Sequence, residues 1–275
     1  MNYEAIVVCK LETVLENVAE KDRQPRRLVK RANSIQQFNT MRFLCLHGRG
    51  TSSQIFELQT ARLREELSSH EFVFIDGVVS TEPSEGAEAV ADEFFGWFDK
   101  PISQAQSQEL LLGLVDFIAN NGPFQGVMGF SEGGIVAAML LAEDARQGFA
   151  GFQCGILLSA APPLDPAGIC QEPASLRCLN PAVDGSVICV PTAHIIGSNE
   201  PFARLVALSP LSGLWISSGM GDPEKLHQSL FQLCNDEREL VFHQLGHEVP
   251  GAKSAEGLSG ALRAIERTIE RAQLG

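Results

Sequence analysis

The residue best placed to do chemistry is a serine in a glycine-rich turn. The segment Gly129-Phe130-Ser131-Glu132-Gly133 reads G-x-S-x-G and lies between an apolar run that predicts a strand and another that predicts a helix. Small residues two positions either side of the serine let strand and helix approach closely, which leaves the hydroxyl exposed on a tight, strained turn. The turn also opens a helix, whose N-terminal N–H groups favour negative charge. This context predicts that Ser131 is a nucleophile.

A serine hydroxyl needs a neighbouring base, and the candidate is a histidine near the C-terminus. In proteins with this turn the chain order is Ser, then Asp or Glu, then His. His247 follows a predicted strand and is the expected base, whereas His243 lies nearer the strand body. The two are four residues apart, but Gly246 and Pro250 disfavour a helix there and no third ligand is apparent, so we expect no metal site.

The acid that would hold the imidazole has three candidates. It is expected after the strand that ends at Gly197, and the first acidic residue there is Glu200. Asp222 stands further along, before the helix that leads to the last strand, and Asp184 is a third candidate. Residues 201–220 between the first two are rich in Leu, Ser and Gly and are predicted to be an insertion. We favour Asp222, whose task would be to fix the imidazole tautomer and stabilise the imidazolium.

An oxyanion hole requires two backbone donors. The residue after the nucleophile, Glu132, offers one N–H, and the turn 48–50 after the first predicted strand is placed to offer the other, from Arg49. His47 in that turn is expected to be structural. His194 lies in an apolar run and is expected to be a core histidine.

Strands and helices alternate from Met41 onward, which indicates an α/β fold with a mostly parallel central sheet and helices on both faces. In such sheets reactive residues lie in loops at the carboxyl ends of the strands. An aromatic cluster at 94–98 lies in a mixed segment and is compatible with either an acyl pocket or ordinary core packing. Strands are predicted at 42–46, 72–75, 126–130, 154–158, 188–196 and 240–242, and helices at 54–67, 104–120, 135–145, 225–234 and 257–272.

The net charge and the cysteines indicate which binding partners are disfavoured and which cellular compartment is expected. The net charge is −13, which disfavours nucleic acid and anionic membrane surfaces as partners. Residues 1–40 differ, with seven Lys/Arg against five Asp/Glu, and are predicted to be a poorly ordered appendage to a domain at 41–275. Seven cysteines without a C-x-x-C pair predict free thiols in a reducing compartment, with the cytoplasm as the default. No G-x-G-x-x-G follows the first strand, and no cofactor is expected.

Four segments in order resemble the fungal family of small serine hydrolases, the FSH family. They are the stretches 46–50, 129–134, 191–197 and 246–250. The resemblance covers about 41–272 and implies the α/β-hydrolase fold. It also implies a triad of Ser131, Asp222 and His247, because the spacing from Asp222 to His247 is similar to that of the family. The chain departs from the family in the roughly 20 residues between Gly197 and that acid, and in the N-terminal appendage.

The resemblance also implies a function. The family includes thioesterases that release polyketides, so we expect hydrolysis of a small-molecule acyl ester, or of a thioester presented on an acyl carrier domain of a polyketide synthase. A generic carboxylesterase, or a decayed hydrolase scaffold that only binds, are the alternatives. Expected chemistry is acyl transfer: Ser131 attacks the carbonyl, and His247 takes and returns the proton.

Overall fold

A computed structural model describes residues 40–171, 173 and 175–274. The strands are β1 (Arg42–Leu46), β2 (Glu71–Ile75), β3 (Val79–Ser80), β4 (Phe95–Gly96), β5 (Gly126–Phe130), β6 (Cys154–Leu158), β7 (Thr192–Gly197) and β8 (Arg238–His243). Six of them form one sheet in the order β2-β1-β5-β6-β7-β8, and every neighbouring pair is parallel. Strands β3 and β4 form a separate antiparallel ribbon.

Helices cover both faces of the six-stranded sheet, and each face has its own apolar core. The helices are α1 (Ser53–Gln59), α2 (Ala61–Glu66), α3 (Gln104–Asn121), α4 (Glu132–Gln147), α5 (Pro166–Ile169), α6 (Pro181–Asp184), α7 (Phe202–Leu208), α8 (Ser212–Ser217), α9 (Leu226–Leu233) and α10 (Ala255–Leu274). Residues of α3, α4 and α9 bury one face, and residues of α1, α2 and α10 bury the other. The predicted α/β fold with a parallel sheet and helices on both faces is confirmed.

The central strands β5 and β6 are buried along their whole length, and both match their predicted bounds. Strand β7 starts later than predicted, because Pro191 has no N–H for the sheet ladder and Ile188 makes only an isolated bridge to Cys234. The predicted helix at 54–67 is interrupted at Thr60, whose backbone leaves the helical region.

The segment predicted to be an insertion, 201–220, folds into α7 and α8. Its Leu211 and Trp215 are buried in the core that also contains Trp97 and Phe98. The indole N–H of Trp215 donates to the carbonyl of Pro162 at 2.9 Å. This segment therefore packs as part of the domain.

The predicted appendage, residues 1–40, lies outside the described residues except for Thr40. In the part of the chain that the structure describes, no helix has the length and apolarity needed to cross a bilayer. Within the same residues no group of His, Cys, Asp and Glu is arranged to hold a metal ion.

Candidate active site

Ser131 lies between β5 and α4 in a strained backbone conformation. Its φ is 54° and its ψ is −117°, a region that residues other than glycine rarely enter. Its N–H donates to the carbonyl of Leu158 on the neighbouring strand at 2.9 Å, which holds the turn in place. The strain turns the hydroxyl out of the sheet, as the G-x-S-x-G pattern predicts.

Two glycines make this turn sterically possible. A Cβ on Gly129 would lie 2.2 Å from the carbonyl oxygen of Gly133, and a Cβ on Gly133 would lie 2.2 Å from that of Leu46. Strand β5, the first turn of α4 and the end of β1 are therefore in backbone contact. The requirement for small residues on either side of the serine follows from this contact.

His247 lies within hydrogen-bonding distance of Ser131. Its Nε2 is 2.8 Å from Ser131 Oγ, and its ring packs on that of Phe130 with the centroids 4.9 Å apart. The imidazole is 20% exposed, so it is partly accessible to solvent. This geometry suits removal of a proton from the serine hydroxyl.

The acid beside His247 is Glu200. Its Oε2 lies 3.2 Å from His247 Nδ1, and its side chain is 2% exposed. Its Oε1 accepts hydrogen bonds from the backbone N–H of Gly197, at 3.0 Å, and from the hydroxyl of Ser159. Both oxygens of this buried carboxylate are therefore engaged, and its orientation toward the imidazole is fixed.

The expectation that Asp222 would stand beside His247 is corrected by these contacts. Asp222 caps a 3₁₀ turn, accepting from the N–H of Glu224 at 3.2 Å, and pairs with Lys225 at 3.1 Å. Its side chain is 50% exposed. Along the chain, the helices α7 and α8 separate Asp222 from the end of β7, whereas Glu200 follows β7 after two residues.

Asp184, the third candidate, is also engaged elsewhere. Its carboxylate accepts two hydrogen bonds from Arg177, each at 2.8 Å, which lowers the pKa of Asp184.

Ser159 is a residue that sequence reasoning did not single out. It follows β6 and has a φ of 48°, which makes it the second residue other than glycine with positive φ among those described. Its hydroxyl holds Glu200, and its backbone N–H donates to Ile195 at 2.9 Å. Its position directly after a buried strand is the signal that could have identified it.

The turn after β1 packs against the turn that contains Ser131. A Cβ on Gly48 would be 3.4 Å from Ser131 Cβ, and Arg49 is the next residue of the same turn. The N–H of Glu132 is the first of α4, a position that helix geometry leaves without an intrahelical partner. Arg49 and Glu132 therefore lie on segments next to Ser131, and the role of their N–H groups as oxyanion donors stays a prediction.

His47 links the turn after β1 to the loop after β2 through both of its ring nitrogens. Its Nε2 accepts from the N–H of Gly77 at 2.8 Å, and its Nδ1 contacts the carbonyl of Gly48 at 2.7 Å. Burial lowers the pKa of His47. The indole N–H of Trp97 donates to the His47 carbonyl at 2.8 Å, so one member of the aromatic cluster braces the turn. Trp97 and Phe98 are fully buried core residues.

The remaining histidines do not contact Ser131. His194 is buried in β7, where burial lowers its pKa to about 3, and its Nε2 contacts the hydroxyl of Thr192 at 3.1 Å. His243 is buried, its Nδ1 accepts from the N–H of Leu245, and burial lowers its pKa.

A parallel sheet with a serine on the turn after β5, a histidine after β8 and an acid after β7 defines an α/β-hydrolase of the serine hydrolase class. The family model described as "Serine hydrolase (FSH1)" matches residues 36–211. The chain belongs to this serine hydrolase family, as its four sequence segments predict.

Two of the similar proteins come from fungi. Esterase FPY3 of Fusarium mangiferae is 33% identical over 242 residues, which is 86% of this chain and all of that protein. Hydrolase phiM of Talaromyces stipitatus is 27% identical, over 76% of this chain and 81% of its own length. Among solved structures, a carboxylesterase from Mesorhizobium loti aligns with a TM-score of 0.47 and 16% identity, covering 82% of this chain and 88% of its own.

Proposed function

We propose that this protein is a serine esterase or thioesterase that uses Ser131, His247 and Glu200 to hydrolyse an acyl ester or an acyl-carrier thioester. The observation that carries the proposal is the bridging position of His247, with Nε2 at 2.8 Å from Ser131 Oγ and Nδ1 at 3.2 Å from Glu200 Oε2. A serine, an imidazole and a buried carboxylate in this order form the arrangement that acyl transfer requires.

The proposed reaction runs in two halves. Ser131 Oγ attacks the acyl carbonyl while His247 Nε2 takes its proton, and Glu200 stabilises the imidazolium through Nδ1–H. The oxyanion is held by the N–H groups of Arg49 and Glu132. The imidazolium then protonates the departing alcohol or thiol. A water, deprotonated by His247, attacks the acyl-enzyme; the bond to Ser131 Oγ breaks, His247 returns the proton to that oxygen, and the acid is released.

For the substrate we propose a small acyl compound of fungal secondary metabolism, with a polyketide chain as the leading case. The support is the similarity to fungal proteins named esterases and hydrolases. We further propose that residues 41–275 form the hydrolase domain and that the protein works in the cytoplasm. All six cysteines in the described part of the chain are free thiols, which suits a reducing compartment.

Labelling with a fluorophosphonate probe tests the proposal. The folded protein should be labelled at Ser131, and Ser131→Ala should lose both the label and ester hydrolysis. Parallel assays with a p-nitrophenyl acyl ester and an acyl N-acetylcysteamine thioester separate the two leaving groups. A thioester preference supports release from an acyl carrier, while activity on the ester alone favours a general carboxylesterase. A folded protein that neither labels nor hydrolyses either compound would be a scaffold that only binds.

A further inference from the structure

Arg49 and Glu132, the two residues proposed to supply the oxyanion donors, are also joined through their side chains. The guanidinium of Arg49 lies 3.2 Å from the carboxylate of Glu132, and the Glu132 side chain is only 5% exposed. Neither side chain has a part in the mechanism described above. Because a residue's side chain and its N–H share one Cα, a contact between the two side chains restrains the separation of the two N–H groups.

A third element closes this contact. Arg49 Nη1 donates to the carbonyl of Phe98 at 2.8 Å, and the N–H of Phe98 donates to Glu132 Oε1 at 3.3 Å. The pair is therefore bound on both sides to one buried residue of the aromatic cluster. A Cβ on Gly96 would lie 2.9 Å from Arg49 Nη1 and 3.1 Å from Glu132 Oε2, so the pair packs closely against the backbone at position 96.

Burying the Glu132 carboxylate in this pair costs free energy, because the charged group is removed from water. Burial raises the pKa of Glu132 to about 7, although Arg49 acts to lower it. Within the described residues Glu132 Oε2 is buried and has no hydrogen-bond partner. Buried ion pairs are often no more stabilising than apolar side chains of the same volume, and perturbed carboxylates are concentrated at functional sites.

We propose that Arg49 and Glu132 are positioning residues whose ion pair fixes the two backbone N–H donors of the oxyanion hole relative to Ser131. The inference rests on the proposed function and deepens it. The turn after β1 and the first turn of α4 belong to different elements, and the pair joins them through side chains in addition to their backbone contact. Loss of the link should weaken binding of the oxyanion more than binding of the ground-state ester, because the donors act on charge that develops in the transition state.

Glu132→Gln tests the proposal, because the amide keeps the shape of the side chain and removes its charge. The matched control is Glu143→Gln on the same helix. Glu143 is also buried, at 1% side-chain exposure, and pairs with Arg146 at 2.7 Å, but it lies eleven residues further along α4. At about 1.5 Å per residue that is roughly 16 Å from Glu132.

The readouts are kcat, KM and the affinity of an alkyl boronic acid that mimics the tetrahedral intermediate. All are measured at about pH 8, above the Glu132 pKa of about 7, where the carboxylate is ionised. We expect Glu132→Gln to lower kcat by about 10- to 100-fold, below the roughly 10²- to 10³-fold that loss of a whole donor costs, with KM changed less than about threefold. Affinity for the boronic acid should fall by the same factor as kcat/KM. Glu143→Gln should leave all three values at the wild-type level, even if it lowers the melting temperature.

A second variant covers the case in which Glu132→Gln does not fold. Arg49→Lys keeps the charge but cannot reproduce the contacts of the guanidinium with both Glu132 and Phe98, so it should show the same loss in kcat and boronic acid affinity. In the double variant Arg49→Lys/Glu132→Gln the losses should be less than additive, because both changes break one link.

Two outcomes overturn the inference, and they are distinct from failure of the proposed function. If folded Glu132→Gln or Arg49→Lys retains wild-type kcat and boronic acid affinity, the pair is only structural. Additive losses in the double variant would equally show that the two residues do not act through each other. If instead the wild-type protein neither labels at Ser131 nor hydrolyses esters, the proposed function fails and the inference falls with it.

Discussion

Gly197 and Gly246 lie in backbone contact, so close that a Cβ on Gly197 would stand 2.1 Å from the carbonyl oxygen of Gly246. The loop after β7 is also hydrogen-bonded to the end of β8 and the loop that follows it. The N–H of Ser198 donates to the backbone carbonyl of His243 at 2.8 Å, and the N–H of Asn199 donates to the carbonyl of Leu245 at 3.2 Å. These bonds align the two loops residue by residue. They bring Glu200 next to His247.

The first prediction follows from this contact. Glu200→Gln should lower kcat by about 10³- to 10⁴-fold, because an amide cannot stabilise the imidazolium and disturbs the tautomer of His247. Asp222→Asn should stay within about twofold of the wild type, since its partners are Glu224 and Lys225 on the surface. Steady-state kinetics on a p-nitrophenyl ester decide. A large loss with Asp222→Asn and none with Glu200→Gln would restore Asp222 as the acid.

The sequence predicts well the features that local sterics and alternation determine. The turn around Ser131 and the strands β5 and β6 match their predicted bounds, because buried parallel strands read as continuous apolar runs. Chain order and a loop directly after a strand predict that His247 lies near Ser131, and its Nε2 lies 2.8 Å from Ser131 Oγ. These features depend on a few neighbouring residues, so short sequence patterns are enough to predict them.

The carboxylate that lies beside His247 cannot be predicted in this way, because its position depends on contacts between distant segments. Spacing along the chain favours Asp222, but the Gly197–Gly246 contact and the hydroxyl of Ser159 place Glu200 there. The helices α7 and α8 were equally hidden, since 201–220 lacks a clear apolar period yet buries Trp215 through tertiary packing. The Arg49–Glu132 pair joins residues 83 positions apart.

A second prediction uses two helical glycines with opposite surroundings. Gly133→Ala should destabilise the fold by several kcal/mol or prevent folding, because its Cβ would lie 2.2 Å from the carbonyl of Leu46, a backbone atom that cannot yield. Gly113→Ala in α3 has open space around the added Cβ and should stabilise by about 0.5–1 kcal/mol through helix propensity. Urea denaturation measures both. Equal effects of the two changes would contradict the close approach of α4 to β1.

A third prediction concerns the segment 201–220. Trp215→Ala should destabilise the protein by about 3–5 kcal/mol, because it removes a buried indole and leaves the carbonyl of Pro162 without its donor. Ile216 is the next residue on the same helix and is 64% exposed, so Ile216→Ala should change stability by less than about 0.5 kcal/mol. Chemical denaturation of both variants is the measurement. If Trp215→Ala were as mild as the control, the segment would not belong to the core of the domain.

The last prediction is a pH dependence of stability that originates at Glu132. Burial raises its pKa to about 7, and Arg49 is the charged group that faces it among the described residues. From the ordinary value of 4.5 up to about 7, the folded protein keeps a proton that the unfolded chain has already lost. Folding stability contributed by this carboxyl is therefore fully present below about pH 4.5 and declines as pH rises to about 7, by on the order of 3 kcal/mol.

The variant Glu132→Gln tests this dependence, because it has no such ionisation and retains every other titrating group, including Glu143. The free energy of unfolding of Glu132→Gln minus that of the wild type, from urea denaturation between pH 5 and pH 8, should therefore increase with pH. A difference that is flat, or that decreases with pH, would show that the Glu132 carboxylate is ionised in the folded protein throughout this range.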